Sequence, residues 1–197
     1  MGSGGICGQQ TAKNGGIVNI TNCYSIGEIS GLRTGGITGL FTGLNGGKVE
    51  ITNCYSTGII SSLGSGGICG QQTAQNGGII NIINCYSIGE ISGDNSGGIT
   101  GLFTGLNDGK VEITNYYSTG VISGLGSGGI CGSTYGYNTN KLCKIIGCYT
   151  IGNITGSNSG GICGSDVGYN DNIDYTPNIL IENCYSIGNT SGIDTVF

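Results

Sequence analysis

The sequence predicts an all-β fold, a parallel β-helix (β-solenoid) of about six coils of 31 residues with three short strands each, and three observations carry that expectation. The string Gly-Gly-Ile-Cys/Thr-Gly recurs at Gly4, Gly35, Gly66, Gly97, Gly128 and Gly160, a constant step lengthened by one only at the last interval. Behind each copy comes a second phrase, Asn-Cys-Tyr-Ser-x-Gly-x-Ile-Ser-Gly, cleanest at 22–31 and 84–93. No stretch shows a helical 3.6 period, and a glycine every few residues would cost a helix about 1 kcal/mol each. A fixed period of this length means that one unit stacks on copies of itself.

The period runs from end to end, so 1–197 is read as a single solenoid of units 4–34, 35–65, 66–96, 97–127, 128–159 and 160–197. Residues 4–65 and 66–127 align without a gap and differ at ten of 62 positions. Units therefore alternate in type, Cys-Gly-Gln-Gln in one and Thr-Gly-Leu-Phe in the next. The last two drift, with one extra residue between Gly132 and Cys148 and five between Gly164 and Cys184. This inserted text, 133–138 and 166–177, is expected to bulge as loops.

Within a unit, Gly-Ile-Cys/Thr-Gly is the first expected strand. Ile/Val-x-Ile-x-Asn-Cys-Tyr-Ser is the second, and x-Ile-Ser the third. Corners such as Asn14-Gly15-Gly16 and Asn45-Gly46-Gly47 supply the turn chemistry between them. Strands about 4.8 Å apart make six coils a rod roughly 29 Å long, with like residues stacked as ladders. Ile6, Ile37, Ile68, Ile99, Ile130 and Ile162 form one ladder. Ile20, Ile51, Ile82, Ile113, Ile145 and Ile181 form another, with Val18, Val49, Ile80, Val111, Cys143 and Ile179 two places earlier on the same face. Ile29, Ile60, Ile91, Ile122 and Ile154 form a third that ends in Thr190. These are the expected core, each buried branched side chain contributing roughly 1.5–3 kcal/mol.

Composition narrows the classes. Gly is 44 residues and Pro 1, without a three-residue period, which excludes collagen. Only 9% of residues are charged and the net charge is −5, so no nucleic-acid footprint is present and no nucleic-acid partner is expected. No apolar run approaches the length of a membrane span, roughly 18 residues. No signal-peptide core follows Met1. Met1-Gly2-Ser3 runs straight into repeat text, echoing Gly64-Ser65 and Gly126-Ser127. A segment of a longer protein, with its targeting signal elsewhere, is the expectation.

The unit at Gly35-Gly36-Ile37-Thr38-Gly39, followed by Asn45-Gly46-Gly47-Lys48-Val49-Glu50-Ile51-Thr52-Asn53-Cys54-Tyr55-Ser56-Thr57-Gly58, resembles the GLUG-motif repeats. All six units share the pattern. The resemblance implies a β-solenoid of the kind found in large surface-exposed, adhesin-like and secreted proteins, and it carries no catalytic residues over. Cys where Ser or Val is usual, and the nearly invariant repeat step, depart from the family's pattern.

Ten cysteines and no histidine argue against a zinc site, and no Cys-x-x-Cys is present. Cys23, Cys54, Cys85, Cys148 and Cys184 occupy one ladder, with Tyr116 in the fourth coil. Cys7, Cys69, Cys131 and Cys163 occupy another, with Thr38 and Thr100 between. Stacked Cβ atoms about 4.8 Å apart lie beyond the 3.5–4.5 Å that a disulfide prefers, so reduced ladder thiols are expected. Cys131 with Cys163, and Cys143 with Cys148, are the pairs where a disulfide or thiol contact is sought first. Reduced ladders fit assembly in a reducing compartment, as for a virion component, better than a secreted adhesin.

Tyr24, Tyr55, Tyr86, Tyr117, Tyr149 and Tyr185 form an unbroken aromatic ladder, with Tyr116 beside it. If the Cys slot turns inward at a corner, the rings face solvent and offer a binding surface; if strict alternation holds from the Ile slots, they are core. The Asn22, Asn53, Asn84, Asn115 and Asn183 ladder reads as turn caps bonded along the stack. Glu28 with Glu90, and Glu50 with Glu112, repeat two coils apart at about 9.6 Å, near the upper limit for inverting glycosidases, but repetition alone generates that spacing. Lys48 and Lys110 sit two residues from Glu50 and Glu112 as ordinary surface partners. Asp166, Asp171 and Asp174 gather in a Gly- and Asn-rich loop that could offer oxygen ligands to Ca²⁺; a plain solvated loop is the other reading.

The sequence therefore favours a structural repeat segment of a surface fibre, filament or virion component, without enzymatic activity or cofactor. Its expected partner is itself, end to end, or a larger parent chain. An adhesin-like module that grips a glycan or host protein is the alternative, and a polysaccharide-active enzyme the third reading. The expected location is the cell surface, the extracellular space or a virion.

Overall fold

Each coil contributes a five-residue strand and a two-residue strand, and like strands stack in register. The computed structural model describes residues 2–191. In chain order the strands are β1 (Ile17–Thr21) and β2 (Tyr24–Ser25), β3 (Lys48–Thr52) and β4 (Tyr55–Ser56), then β5 (Ile79–Ile83) and β6 (Tyr86–Ser87). They continue as β7 (Lys110–Thr114) and β8 (Tyr117–Ser118), β9 (Leu142–Ile146) and β10 (Tyr149–Thr150), and β11 (Asn178–Glu182) and β12 (Tyr185–Ser186). The longer strands make one six-stranded sheet in the order β1-β3-β5-β7-β9-β11, and the shorter ones a second, from β2 to β12. Every pairing is parallel and in register, Ile20 on Ile51 on Ile82 on Ile113 on Ile145 on Ile181. No helix forms among the described residues. The chain is an all-β parallel solenoid.

The three expected strands per coil become two strands and a set of single bridges. The Ile29 ladder survives as one bridge per junction, and Gly-Gly-Ile-Cys/Thr pairs only at its first and fourth residues, as in Gly35↔Gly66 and Thr38↔Cys69. The cause is a tight bend: a Cβ on Gly35 would lie 2.1 Å from the Thr38 carbonyl oxygen. An extended run cannot bring those two atoms together, so this stretch folds back on itself and only a residue without a side chain fits.

The second expected strand is cut in two by its asparagine. Asn22, Asn53, Asn84, Asn115 and Asn183 all lie in the left-handed region, φ 52–56°, where Asn is the most tolerant residue after Gly. Gly147 takes the same slot in the fifth coil, φ 63°. The bend resets the in–out alternation, so that Ile51 two residues before Asn53 and Cys54 directly after it both face inward.

The core is two parallel stacks. The larger holds the Ile6-, Val18- and Ile20-type ladders together with the cysteines; the smaller is the Ile29, Ile60, Ile91, Ile122 and Ile154 column by itself. Ile51, Ile82 and Ile113 are fully buried, as alternation on β3, β5 and β7 requires. A serine column separates and ties these stacks. The amides of Thr34, Ser65, Ser96 and Ser127 donate to the hydroxyl of the next coil's serine, Ser65, Ser96, Ser127 and Ser159, at 3.0–3.2 Å. Each hydroxyl then donates to a carbonyl of the coil before, as Ser96 Oγ does to Ser62 O at 2.8 Å. A buried backbone that must leave the sheets thus stays hydrogen-bonded.

Candidate functional site

The Asn corner decides which of two ladders meets solvent. Ile20 points in and Asn22 bends the chain; Cys23 then points in and Tyr24 out. Cys54, Cys85 and Cys148 are buried, whereas Tyr24 and Tyr185 are more than half exposed and the tyrosines between them partly so. Where Tyr116 replaces the cysteine it goes inward with that slot, and Tyr117 keeps its place in the outer column.

The six outer rings stack face to face along the rod. Successive centroids lie 4.8–5.4 Å apart and the planes diverge by 2–14°. Such stacking is favourable beyond its area. It also covers both faces of the four inner rings, so the column presents edges and hydroxyls sideways and bare ring faces only at Tyr24 and Tyr185. A flat sugar face therefore finds stacking partners at the two end rings alone. Burial raises the Tyr117 hydroxyl above its ordinary value, with the neighbouring Tyr86 and Tyr149 adding to the shift.

All ten cysteines are free thiols. Cys131 and Cys163 are ladder partners in register. Cys143 and Cys148 do not meet: the Cys143 thiol donates to Gly109 O at 3.4 Å, and that of Cys148 to Ile146 O at 3.4 Å. Cys148 is instead joined to Cys184, whose sulfur accepts its amide at 3.4 Å, the geometry repeated from Cys23 to Cys54 and from Cys54 to Cys85. Burial pushes the Cys69 and Cys148 thiols up to about 12 and Cys143 up to about 11. Cys131 is driven up as well, by burial and by the thiol of Cys163. Thiols held this firmly in the protonated form are poor nucleophiles.

The carboxylates do not converge. Among the described residues no group of three Cys, Asp or Glu side chains is placed to hold a metal ion. Asp171, from the expected calcium set, instead accepts hydrogen bonds from Tyr137 Oη and from Asn138 Nδ2, the latter at 2.7 Å. The Tyr137 hydroxyl holds its carboxyl below the usual range. The Asp174 amide donates to Asn172 Oδ1 at 3.0 Å, and Asp166 sits in a left-handed turn, φ 58°. The loop is built by its own polar side chains. Glu28 and Glu90 accept from Ser61 and Ser123 of the following coils at 2.7 and 3.0 Å. Glu112 pairs at 3.8 Å with Lys144, its ladder neighbour, rather than with Lys110 two residues away.

One cleft, of about 340 Å³, opens at the first coil between the two core stacks, lined by Ser3, Ser25, Glu28, Ile29 and Thr34. Glu28 is its single carboxylate. In later coils the serines equivalent to Ser25, namely Ser56, Ser87 and Ser118, are buried between the coils stacked on either side, which closes the same space. The cleft is thus the solenoid's cross-section seen from its end.

Two further columns escaped the sequence reading. Asn45 donates to Asn14, Asn76 to Asn45 and Asn107 to Asn76, at 3.1–3.3 Å. The serine column is the other. Their signal was present, since Asn and Ser/Thr return at those slots in successive units. No helix of the described residues is long and apolar enough to cross a membrane. Comparison with family models, with curated proteins and with solved structures finds no match for this chain.

Proposed function

We propose that the chain is a structural repeat segment that lengthens a fibre, filament or virion component by stacking coil upon coil; its resemblance to the GLUG-motif repeats implies the solenoid on which such stacking depends. The exposed edge of the first coil is the observation that carries this reading. β1 has a strand on one side only, and Ile6, whose ladder mates Ile37 and Ile68 are fully buried, is 47% exposed there. At the other edge of the same sheet, Ile181 is 44% exposed on β11. Unpaired strand edges with half-open cores are templates for another strand, and the fitting occupant is a further coil of the same kind. That coil comes from continuing chain or from a second copy. The site chemistry gives catalysis little support: burial holds the Cys69, Cys131, Cys143 and Cys148 thiols protonated, and the carboxylates of the described residues are dispersed.

Electron microscopy across a concentration series, with reductant present, tests the reading. Rods whose lengths grow in steps of roughly 29 Å are expected. Particles that keep one coil-stack length at every concentration would refute self-stacking. A glycan or protein array run on the same samples addresses the adhesin-like alternative. Binding that is lost on Tyr24→Ala would assign it to the exposed end ring.

A further inference from the structure

The outer tyrosine column sets six phenols in one line. Neighbouring rings lie 4.8–5.4 Å apart and nearly parallel, with their edges and hydroxyls on the outside of the rod. The remaining tyrosines are placed differently. Tyr116 and Tyr135 are closed off in the core. Tyr137 and Tyr169 make a separate stacked pair at 5.6 Å, with the Tyr137 hydroxyl bound to Asp171. Tyr175 belongs to the 166–177 loop.

A phenol that loses one electron and its hydroxyl proton becomes a phenoxyl radical, and two such radicals join through ring carbons. In a free peptide the second ring must be met by diffusion. Here a second ring waits one ladder step away, and holding two reactants side by side turns a bimolecular step into an effectively unimolecular one.

We infer that the column is a modification site at which a haem peroxidase with hydrogen peroxide couples neighbouring tyrosines into dityrosine, stapling coil to coil. Each of the two phenols gives one electron and one proton to the oxidant. The radicals form a carbon–carbon bond between the ring positions beside their oxygens. The hydrogens on those two carbons then move to the oxygens, which restores both rings. One hydrogen peroxide takes up the two electrons and two protons and leaves as two waters.

The stack also sets which pairs couple first. Stacked rings must turn before their edge carbons can bond. Tyr55, Tyr86, Tyr117 and Tyr149 have a neighbour on both faces, whereas Tyr24 and Tyr185 have one on a single face and are 55% and 52% exposed. Tyr24 with Tyr55, and Tyr149 with Tyr185, both at 5.1 Å, therefore lead. These links tie coil one to coil two and coil five to coil six, where Ile6 and Ile181 leave the core most open. Chain ends open before the centre of a fold, and a cross-link that closes a whole coil restricts the unfolded chain as a disulfide does. Where copies stack end to end, Tyr185 of one falls a ladder step from Tyr24 of the next, and the same coupling joins the chains. That consequence alone rests on the stacking reading above.

Dilute protein treated with a haem peroxidase and hydrogen peroxide, then reduced, tests the inference through dityrosine fluorescence and peptide mass mapping. Links from Tyr24 to Tyr55 and from Tyr149 to Tyr185 are expected in chains of unchanged length, with a raised thermal midpoint. Tyr55→Phe, Tyr117→Phe and Tyr185→Phe together keep all six rings but leave phenols only in alternate coils, about 9.6 Å apart. In that variant, with its circular dichroism unchanged, the column links should be lost and only the Tyr137–Tyr169 product remain. Wild-type protein without dityrosine in the column overturns the inference, and so do column links that persist in the triple variant. At concentrations where electron microscopy shows rods, wild-type multimers should resist detergent and reductant, and those of Tyr24→Phe with Tyr185→Phe should not. Wild-type rods that dissolve to single chains would remove the link between copies. Absence of rods would count against stacking, while the links within single chains still decide the coupling.

Discussion

Two buried tyrosines should respond in opposite directions to the loss of one oxygen atom. Tyr116 is 1% exposed and its hydroxyl has no hydrogen-bond partner. Tyr135 is fully buried, but its hydroxyl reaches Lys144 O at 3.0 Å and Val111 O at 3.3 Å. Tyr→Phe removes the hydroxyl and keeps the ring, so packing is a constant in the comparison. At Tyr116 the change relieves the desolvation penalty of an orphaned hydroxyl, about 1–3 kcal/mol. At Tyr135 it deletes a satisfied hydrogen bond, about 0.5–1.5 kcal/mol. Each kcal/mol moves the thermal midpoint of a chain this size by about 2–4 °C. Circular dichroism melts should therefore place Tyr116→Phe above the wild type and Tyr135→Phe below it. Repeat arrays do not always unfold as one unit, so amide exchange in β7 and β9 supplies a local check on the same ranking. Midpoints that move the same way in both variants, or a loss at Tyr116→Phe, would refute the reasoning.

Alkali should unfold the protein through its thiols. Burial raises Cys69, Cys143 and Cys148 from 9.0 to about 12, 11 and 12, so the unfolded chain releases these protons first as pH rises. Their contribution is complete below pH 9 and is lost between pH 9 and 12, at about 1.4 kcal/mol per pH unit for each thiol. A urea midpoint that stays level from pH 8 to about pH 11 would contradict this. Asn84 holds φ 52°, so Asn84→Val should cost about 1–2 kcal/mol while Asn84→Gly costs far less. Equal urea midpoints for the two variants would remove the left-handed corner from the explanation. Gly89→Ala puts a Cβ 1.9 Å from Gly58 O and should abolish cooperative unfolding by forcing coils two and three apart; a native-like melt would count against that packing. A thiol titration in denaturant without reductant should count ten free sulfhydryls, and a lower number would reveal a disulfide.

The solenoid was legible because its core is written at fixed steps: Ile20 and its mates return once per coil, and a coil has one apolar face to hide. The orientation of the Tyr24 and Cys23 ladders was not, because it hangs on one backbone angle. Asn22 reads as a turn cap, which its ladder mates support, Asn115 donating to Asn84 at 3.2 Å. That asparagine also favours the left-handed region, and counting it as a break in alternation would have turned Cys23 inward and Tyr24 outward. The first expected strand failed for a related reason. Gly35 and Gly36 look like flexible punctuation in the sequence, but only backbone geometry reveals how closely Thr38 O returns to Gly35. Among the candidate residues, insertion text suggested a carboxylate cluster at Asp166, Asp171 and Asp174. Side chains one coil upstream, Tyr137 and Asn138, settle where Asp171 points.

In-register stacking also has a mechanical meaning. The hydrogen bonds between coils run along the rod, so axial tension pulls on all the bonds of one junction at once while successive junctions bear the load in series. A rod of this kind is only as strong as its weakest junction, however many coils it contains. Adding coils lengthens the reach without raising or lowering the rupture force, provided each new junction matches the old ones. The near-identity of 4–65 and 66–127 keeps the junctions closely alike, and so leaves reach free to change while tensile strength stays put.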